Sequence, residues 1–382
     1  MWRSRHGSIC CSARDRMHIA LVIPHLGSGG AERVASLLCN CWAQFGHRVT
    51  ALTFDAPGVD PFFRLDEAVQ QRPLDTLNKK TNLISRVATN VRRLWRLRSN
   101  LTEMRPEIVI AFMTEASVVT VCATLGLGLP VIVTERNQPD RPGLGWFRRS
   151  ARRLTYPWAS AMVVQTEDIA GWAKARFSLP VHVLPNPVMT PGLGGIAPAN
   201  EGRLIVSAGR LVYQKGFDLL IDGFARVAEL HPDWRLVIYG EGPERANLQT
   251  QIERHSLRHR ISLPGLFTDS NAALGQADLF VLASRFEGCS NVLLEALSLG
   301  RPVIATNCPG ATAAILDGGH YGLLIPPTDI DALTGALDDM MSNATLRSHY
   351  AGRAPLAVAH LEPAKVAHRW LELFSSLNTV AG

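Results

Sequence analysis

The sequence predicts an α/β protein of two domains, each built on a doubly wound parallel sheet. Three observations carry this reading. A chain of 382 residues is longer than one ordinary hydrophobic core accommodates. Short apolar runs without polar alternation recur between helix-like stretches in both halves, as expected of strands covered on both faces. Residues 188–202 separate the halves and are rich in Pro, Gly, Ala and Asn, which is linker composition. The expected domains are 17–187 and 203–357, with 358–378 as a closing helix that returns to the first domain.

Composition narrows the class. A hydrophobic fraction of 47% with 19% charged residues describes a folded soluble chain rather than a disordered one. The net charge of +6 permits anionic partners without naming one. Seven cysteines are scattered, with only Cys10 and Cys11 adjacent, which points to a reducing, cytoplasmic setting and away from a disulfide scaffold or a zinc site. No apolar run reaches membrane-spanning length. The first sixteen residues lack the apolar centre of a secretory signal; a start placed too early is the preferred explanation and a disordered tail the alternative.

In order, His18 to Ile23 reads as an apolar strand that Pro24 closes. Gly27 to Val34 is a glycine-rich turn that runs into a helix ending near Gly46. It lacks the third glycine and the following acid of a dinucleotide fingerprint. Two readings stand, a tight turn needing positive φ or a close backbone approach to a ligand at Gly29 and Gly30. Val49 to Phe54 is a second strand, and Asp55 to Asp75 reads as loop. Asn82 to Glu103 is a long helix with Arg86, Arg92, Arg93, Arg96 and Arg98, preceded by Lys79 and Lys80. Its apolar stripe is Leu83, Val87, Val91, Leu94, Trp95 and Leu101. Such a helix suits either a solvated basic face or contact with an anionic bilayer or lipid diphosphate. Glu107 to Ala111, Val131 to Thr134 and Ala161 to Val164 are further strands, with helices from about Thr114, Trp146 and Glu167. Glu135 and Arg136 lie at a strand's carboxyl end, where open α/β sheets bind ligands, with Asn137, Gln138, Pro139 and Arg141 just behind. Arg148, Arg149, Arg152 and Arg153 follow on a helix that reads as either solvated or membrane-facing. Val181 to Leu184 ends this half.

The alternation resumes with strands at Leu204 to Ser207, Arg235 to Tyr239, Arg260 to Leu263, Leu279 to Leu282, Pro302 to Ala305 and Gly322 to Ile325. Helices are expected near Phe217, Glu244, Ser270, Ser290 and Ala311, and over Leu333 to Met341 and Val366 to Leu377. Two strand-end turns carry the chemistry. One sets Arg210 and Lys215 ahead of a helix. The other sets Glu287 in a turn, Ser290 at a helix N-cap and Glu295 inside that helix. Two cations, a helix start with open amides and two acids form a coherent site for a nucleotide sugar. Ordinary loop and helix glutamates are the competing reading of the acids alone.

These motifs together resemble a known family. Gly209-Arg210-Leu211 with Lys215-Gly216, then Gly240-Glu241-Gly242-Pro243, then Glu287 with Glu295, then Gly300-Arg301-Pro302-Val303 are similar to retaining nucleotide-sugar glycosyltransferases with the GT-B fold, of the group 1 or family 4 type. Gly29 to Val34 resembles the bacterial branch that extends undecaprenyl-diphosphate-linked glycans. The resemblance covers Met17 to the C-terminus and implies two Rossmann-like domains facing across a cleft. It implies that Arg210 and Lys215, with the amides of Ser290, Asn291 and Val292, hold the donor diphosphate, and that Glu295 binds the ribose. It implies that Glu287 contacts the sugar and stabilises an oxocarbenium-like transition state. Gly29 and Gly30 would approach the donor. No metal and no cofactor beyond the donor are implied. Cys289 and Ser290 stand where an aromatic or Leu and then Pro are common, leaving the sugar open. Arg136 stands where relatives often carry His, so an acceptor- or phosphate-binding role is assigned to it, beside Glu135.

The leading expectation is transfer of a hexose or N-acetylhexosamine from a UDP-sugar to a lipid-diphosphate-linked glycan, peripherally on the inner membrane face. Arg92, Arg93 and Arg96 would then meet the acceptor or an anionic surface. The alternatives are a GDP-mannose-dependent or soluble-acceptor enzyme of the same fold, and a catalytically weak nucleotide-sugar-binding scaffold. A nucleic-acid partner is not expected, since the basic residues do not interleave with aromatics on a recognisable module.

Overall fold

A computed structural model describes residues 16–76, 83–136, 145–189, 203–267 and 269–380. The expectations for residues 1–15, Lys79, Lys80, Asn137 to Arg141 and most of the linker lie outside the described residues. So do those for the side chains of Leu83, Arg86 and Val87. The chain divides into two compact units, Met1–Pro187 with Pro363–Gly382, and Val188–Glu362.

Among the described residues the first unit holds seven parallel strands: β1 (His18–Ile23), β2 (Arg48–Thr53), β3 (Val69–Pro73), β4 (Ile108–Phe112), β5 (Val131–Thr134), β6 (Ala161–Val164) and β7 (Val181–Val183). Their order is β3-β2-β1-β4-β5-β6-β7, with Ile19 of β1 registered on Val49 of β2 and Ile108 of β4. All six residues of β1 are buried, because helices cover both faces of the sheet. Ile19, Leu21 and Ile23 face the helices Gly30–Gln44 and Pro363–Val380, whereas Ala20 and Val22 share a core with Leu97, Leu101 and Ile169. The closing helix is fixed in this unit by Trp370, whose ring lies edge-on to Trp42 at 6.1 Å, and by the Trp42 indole N–H donating to the Ala367 carbonyl at 3.3 Å. Strand order reverses direction between β1 and β4, so a crevice opens at their carboxyl ends.

The second unit holds β8 (Arg203–Ala208), β9 (Trp234–Tyr239), β10 (Ile261–Gly265), β11 (Leu279–Leu282), β12 (Val303–Thr306) and β13 (Leu323–Ile325), ordered β10-β9-β8-β11-β12-β13. Its reversal falls between β8 and β11. Those are the two strands whose carboxyl ends lead into the Arg210–Lys215 and Glu287 turns.

Three expectations need correction. The stretch read as loop contains β3, an edge strand that among the described residues pairs only with β2, in which Val69 is buried and Gln70 and Gln71 are exposed. One covered side leaves no continuous apolar run to detect, and Pro73 is tolerated at such an edge. The helix Ala344–Val358, with Pro355 inside it, was not anticipated; Asn343 starts it by accepting from the Leu346 amide at 2.9 Å. Val188 is part of the second unit rather than linker, since its side chain is buried there and its amide donates to the Leu361 carbonyl at 2.9 Å.

Candidate functional site

In the second unit the turn after β8 closes with a 3-10 turn, Tyr213–Lys215, and with Gly216 at φ 64°. A Cβ on Gly216 would come within 2.0 Å of the Ala283 carbonyl oxygen, so only glycine lets the helix Phe217–Val227 start this close to the end of β11. The turn delivers Lys215 Nζ to Glu287 Oε1 at 2.6 Å, with the side chains 15% and 6% exposed. Ser284 Oγ donates to the same carboxylate oxygen at 2.6 Å. The backbone of Glu287 is held as well. Its amide donates to the Pro309 carbonyl at 3.0 Å, and Gly310, at φ 134°, leaves no room for a Cβ against the Glu287 carbonyl. Thr306 Oγ1 donates to the Ser284 carbonyl at 2.5 Å. The ends of β8, β11 and β12 thus converge on one carboxylate with a cation beside it. Arg210 is exposed, and among the described residues its guanidinium has no hydrogen-bond or ion-pair partner. That leaves it available to an anion.

A clamp that the sequence reading did not single out joins the two turns. Arg285 grips Asp218 in a two-pronged pair at 2.8 and 2.6 Å, donates to the Tyr213 carbonyl at 2.8 Å and stacks on the Tyr213 ring at 4.0 Å. The Arg285 amide donates to the Gln214 carbonyl at 2.8 Å, and Gln214 Nε2 donates to the Phe286 carbonyl at 2.9 Å. Burial pushes the Asp218 carboxyl upward, but the Arg285 hydrogen bonds and charge outweigh it and leave the group below its ordinary value. Opposite charges beside each of the two motifs were the signal available in the sequence.

The helix Asn291–Ser298 begins as expected after Ser290, but the Ser290 hydroxyl does not cap it. That oxygen is buried with no hydrogen-bond partner among the described residues, next to the open amides of the first turn. Asn291 and Val292 are half-buried and Glu295 is buried on the same helix.

In the first unit, Gly29 caps the helix Gly30–Gln44 with φ −83°. None of Gly27, Gly29 and Gly30 has positive φ, so the tight-turn reading is corrected. What Gly29 makes room for is the unit's own Glu32. That carboxylate lies where a Cβ would be 2.1 Å from it, and it contacts His25 Nδ1 at 3.2 Å.

Glu135 and Arg136, at the end of β5, are buried and engaged internally. Glu135 accepts from the Tyr156 hydroxyl at 2.6 Å and from Thr114 Oγ1 at 3.2 Å, with Arg152 at 3.7 Å. Burial, then the Glu135 charge, pushes the Tyr156 phenol well above its ordinary range, so it remains a donor. Arg136 lies 4.2 Å over the Phe112 ring and donates to Asn186 Oδ1 at 2.7 Å. The two form a buried, internally bonded floor at the sheet's carboxyl end.

The helix Leu83–Met104 differs from its expected pattern. Arg93 pairs with Glu115 at 2.5 Å and lies over Phe54, Arg96 donates to the Leu74 and Asp75 carbonyls, and Arg98 donates to the Ala123 and Leu125 carbonyls. Of the three arginines assigned to an acceptor, only Arg92 is exposed. Val91 and Trp95, placed in the packing stripe, are exposed too, because Arg93 takes an inward position beside Leu97. Among the described residues no group of three or more His, Cys, Asp or Glu could hold a metal ion, and no helix is long and apolar enough to cross a membrane.

Comparison with known proteins bears on the chain's family. A family model described as glycosyl transferases group 1 matches residues 196–356, and one described as a glycosyl transferase 4-like domain matches residues 29–187. The Campylobacter jejuni enzyme described as GalNAc-alpha-(1->4)-GalNAc-alpha-(1->3)-diNAcBac-PP-undecaprenol alpha-1,4-N-acetyl-D-galactosaminyltransferase is 25% identical, over 94% of this chain and 99% of its own. The amylovoran biosynthesis glycosyltransferase AmsD of Erwinia amylovora is 24% identical over 91% of this chain and 96% of its own. Among solved structures, sucrose-phosphate synthase from Thermosynechococcus elongatus superposes with a TM-score of 0.81 at 16% identity, covering 96% of this chain and all of that one. Anabaena HepE in complex with UDP and glucose gives 0.75 at 17% identity, covering 94% and 100%.

Proposed function

The chain belongs to the group 1 glycosyltransferases, with a 4-like first half and the GT-B fold. From that premise we propose that it transfers a hexose or N-acetylhexosamine from a UDP-sugar to a lipid-diphosphate-linked glycan, with retention and at the inner membrane face. The observation that carries the donor half is the convergence of Lys215 and Glu287 at the crevice of the second unit, beside the open start of the helix Asn291–Ser298. The acceptor half leans on the Campylobacter relative, which is named for an undecaprenol-linked substrate.

In this reading the bond between the sugar's anomeric carbon and the diphosphate oxygen breaks, and the electron pair leaves with the diphosphate. Arg210 and Lys215 take up the developing negative charge, aided by the amides of Ser290, Asn291 and Val292. The unbonded Ser290 hydroxyl supplies one more donor there. Glu287, held by Ser284 and by its own backbone bonds, faces the sugar and stabilises the positive charge that builds on its ring. Glu295 receives the ribose hydroxyls. The acceptor hydroxyl bonds to the anomeric carbon on the face the diphosphate left, and its proton passes to the departing phosphate. The side chains carry this neutralisation without a metal. In the first unit, the Gly29 and Gly30 turn approaches the donor, and the floor made by Glu135 and Arg136 borders the acceptor.

The test is incubation of the protein with UDP-sugars and a short-chain lipid-diphosphate glycan, with UDP release and the product's anomeric configuration read together. Release coupled to an α-linked product from an α-linked donor supports the reading. Acceptor-dependent release with an inverted product overturns retention, and no release with any donor overturns the enzyme.

A further inference from the structure

The helix Trp146–Thr155 is inside out. Its one fully inward residue is Arg152, 4% exposed, stacked 4.5 Å over Trp172 and 3.7 Å from Glu135. At about 100° per residue, Trp146, Ser150, Phe147 and Leu154 share one arc on the side opposite Arg152. That arc faces solvent: Trp146 is 78% exposed, Phe147 67% and Leu154 73%. The turn that follows repeats the inversion in the next residues, with Tyr156 fully buried and Trp158 71% exposed. Exposing four large apolar side chains within thirteen residues costs solvation free energy, which a bound surface would recover.

The charge around this face says which surface. Arg148, Arg149 and Arg153 are exposed on the same helix, and no Asp or Glu occurs from Gly145 to Thr166. We propose that Trp146, Phe147, Leu154 and Trp158, ringed by Arg148, Arg149 and Arg153, form a docking face for an anionic lipid bilayer. Aromatic side chains with a polar edge lodge at the level of the headgroups, and arginine forks pair with lipid phosphates while their stems lie along the apolar surface. A second copy of the chain fits poorly, because pairing two such faces would bring their arginines together with no acid to answer them. The site on the first unit gives the face a purpose. Arg152, on the inward side of this helix, lies 3.7 Å from Glu135, so the same helix carries the docking face outside and borders the acceptor floor inside. The inference deepens the lipid-acceptor reading and rests on it for this purpose, while the binding assay below needs neither donor nor acceptor, so the two fail separately.

The experiment is co-sedimentation of the full chain with phosphatidylcholine vesicles, with and without phosphatidylglycerol. The expected result is binding to the anionic vesicles that falls by about tenfold or more in Trp146→Ser/Phe147→Ser/Trp158→Ser and by a similar factor in Arg149→Glu/Arg153→Glu. All these positions are exposed, so urea unfolding midpoints should stay at the wild-type value. Trp95→Ser, on the helix Leu83–Met104 and outside the proposed face, should leave binding within about twofold of wild type. Undiminished binding in both multiple variants, or equal binding of the wild type to neutral and anionic vesicles, overturns the proposal. So does a vesicle-free dimer that the triple substitution abolishes, which would assign the face to a second copy.

Discussion

Replacing Glu287 with Gln separates the two roles assigned to the Lys215–Glu287 pair. The substitution keeps the shape and one acceptor oxygen but removes the charge that sits 2.6 Å from the Lys215 ammonium. Hydrogen bonds to charged groups contribute about 1.5–3 kcal/mol. The amide retains part of that, so a loss near the lower end, about 1.5 kcal/mol, is expected in urea unfolding. Nucleotide affinity should move the other way. In the free protein Lys215 must exchange Glu287 for an incoming diphosphate, and the variant relieves that competition. A gain of about 1 kcal/mol is roughly fivefold in Kd. Turnover should fall by about a hundredfold or more, the scale of losing one transition-state electrostatic group. Calorimetric titration with UDP, urea unfolding and initial rates at saturating donor read the three quantities. UDP affinity that collapses in Glu287→Gln would refute the division of roles, as would turnover within a few-fold of wild type.

The remaining expectations follow from the same contacts. Lys215→Ala should weaken UDP and the intact donor alike, by about tenfold, or 1.4 kcal/mol. Asp218→Asn should cost about 1–2 kcal/mol, discounted because the Asp218 side chain is 43% exposed, and should lower kcat more than it raises the donor KM by loosening the Lys215 turn. The sign with pH is fixed by the depressed Asp218 carboxyl. Its contribution is complete above the unfolded value of about 3.9 and is lost as pH falls through the folded value, so the wild-type and Asp218→Asn stability curves should converge in acid. His18 is a base held below its ordinary 6.5 by burial and by Arg48, so the folded chain binds fewer protons there than the unfolded one. Stability should therefore fall as pH drops below 6.5, and His18→Gln should flatten that slope in urea midpoints.

What was legible in the sequence follows from burial. β1, β5, β6 and β11 emerged with their observed bounds because a parallel strand covered on both faces is apolar throughout. β3 escaped because an edge strand needs no such run, and the Ala344–Val358 helix escaped because Pro355 reads as a breaker. The turns at Lys215 and Glu287 could be placed at strand ends, but their clasp depends on Arg285 reaching Asp218, 67 positions away in sequence. The opposite charges beside the two turns are visible in the sequence, but no local pattern says that they pair. The basic helices misled for one common reason. These guanidinium groups were expected to face solvent, a bilayer or an acceptor, yet loop carbonyls at Leu74 and Ala123 and the carboxylates of Glu115 and Glu135 offer enough acceptors to draw Arg93, Arg96, Arg98 and Arg152 inward. When an arginine turns in, the apolar residues on the opposite side of the helix turn out, as at Val91, Trp95, Trp146 and Leu154.

The most direct test of the central claim is calorimetric titration of the wild-type protein with UDP, GDP and ADP, repeated in Lys215→Ala. One UDP bound per chain, in preference to GDP and ADP and weakened by the substitution, is the result this account predicts. Binding of none of the three, or UDP affinity indifferent to Lys215, would contradict a nucleotide-sugar site at the β8 and β11 switch point.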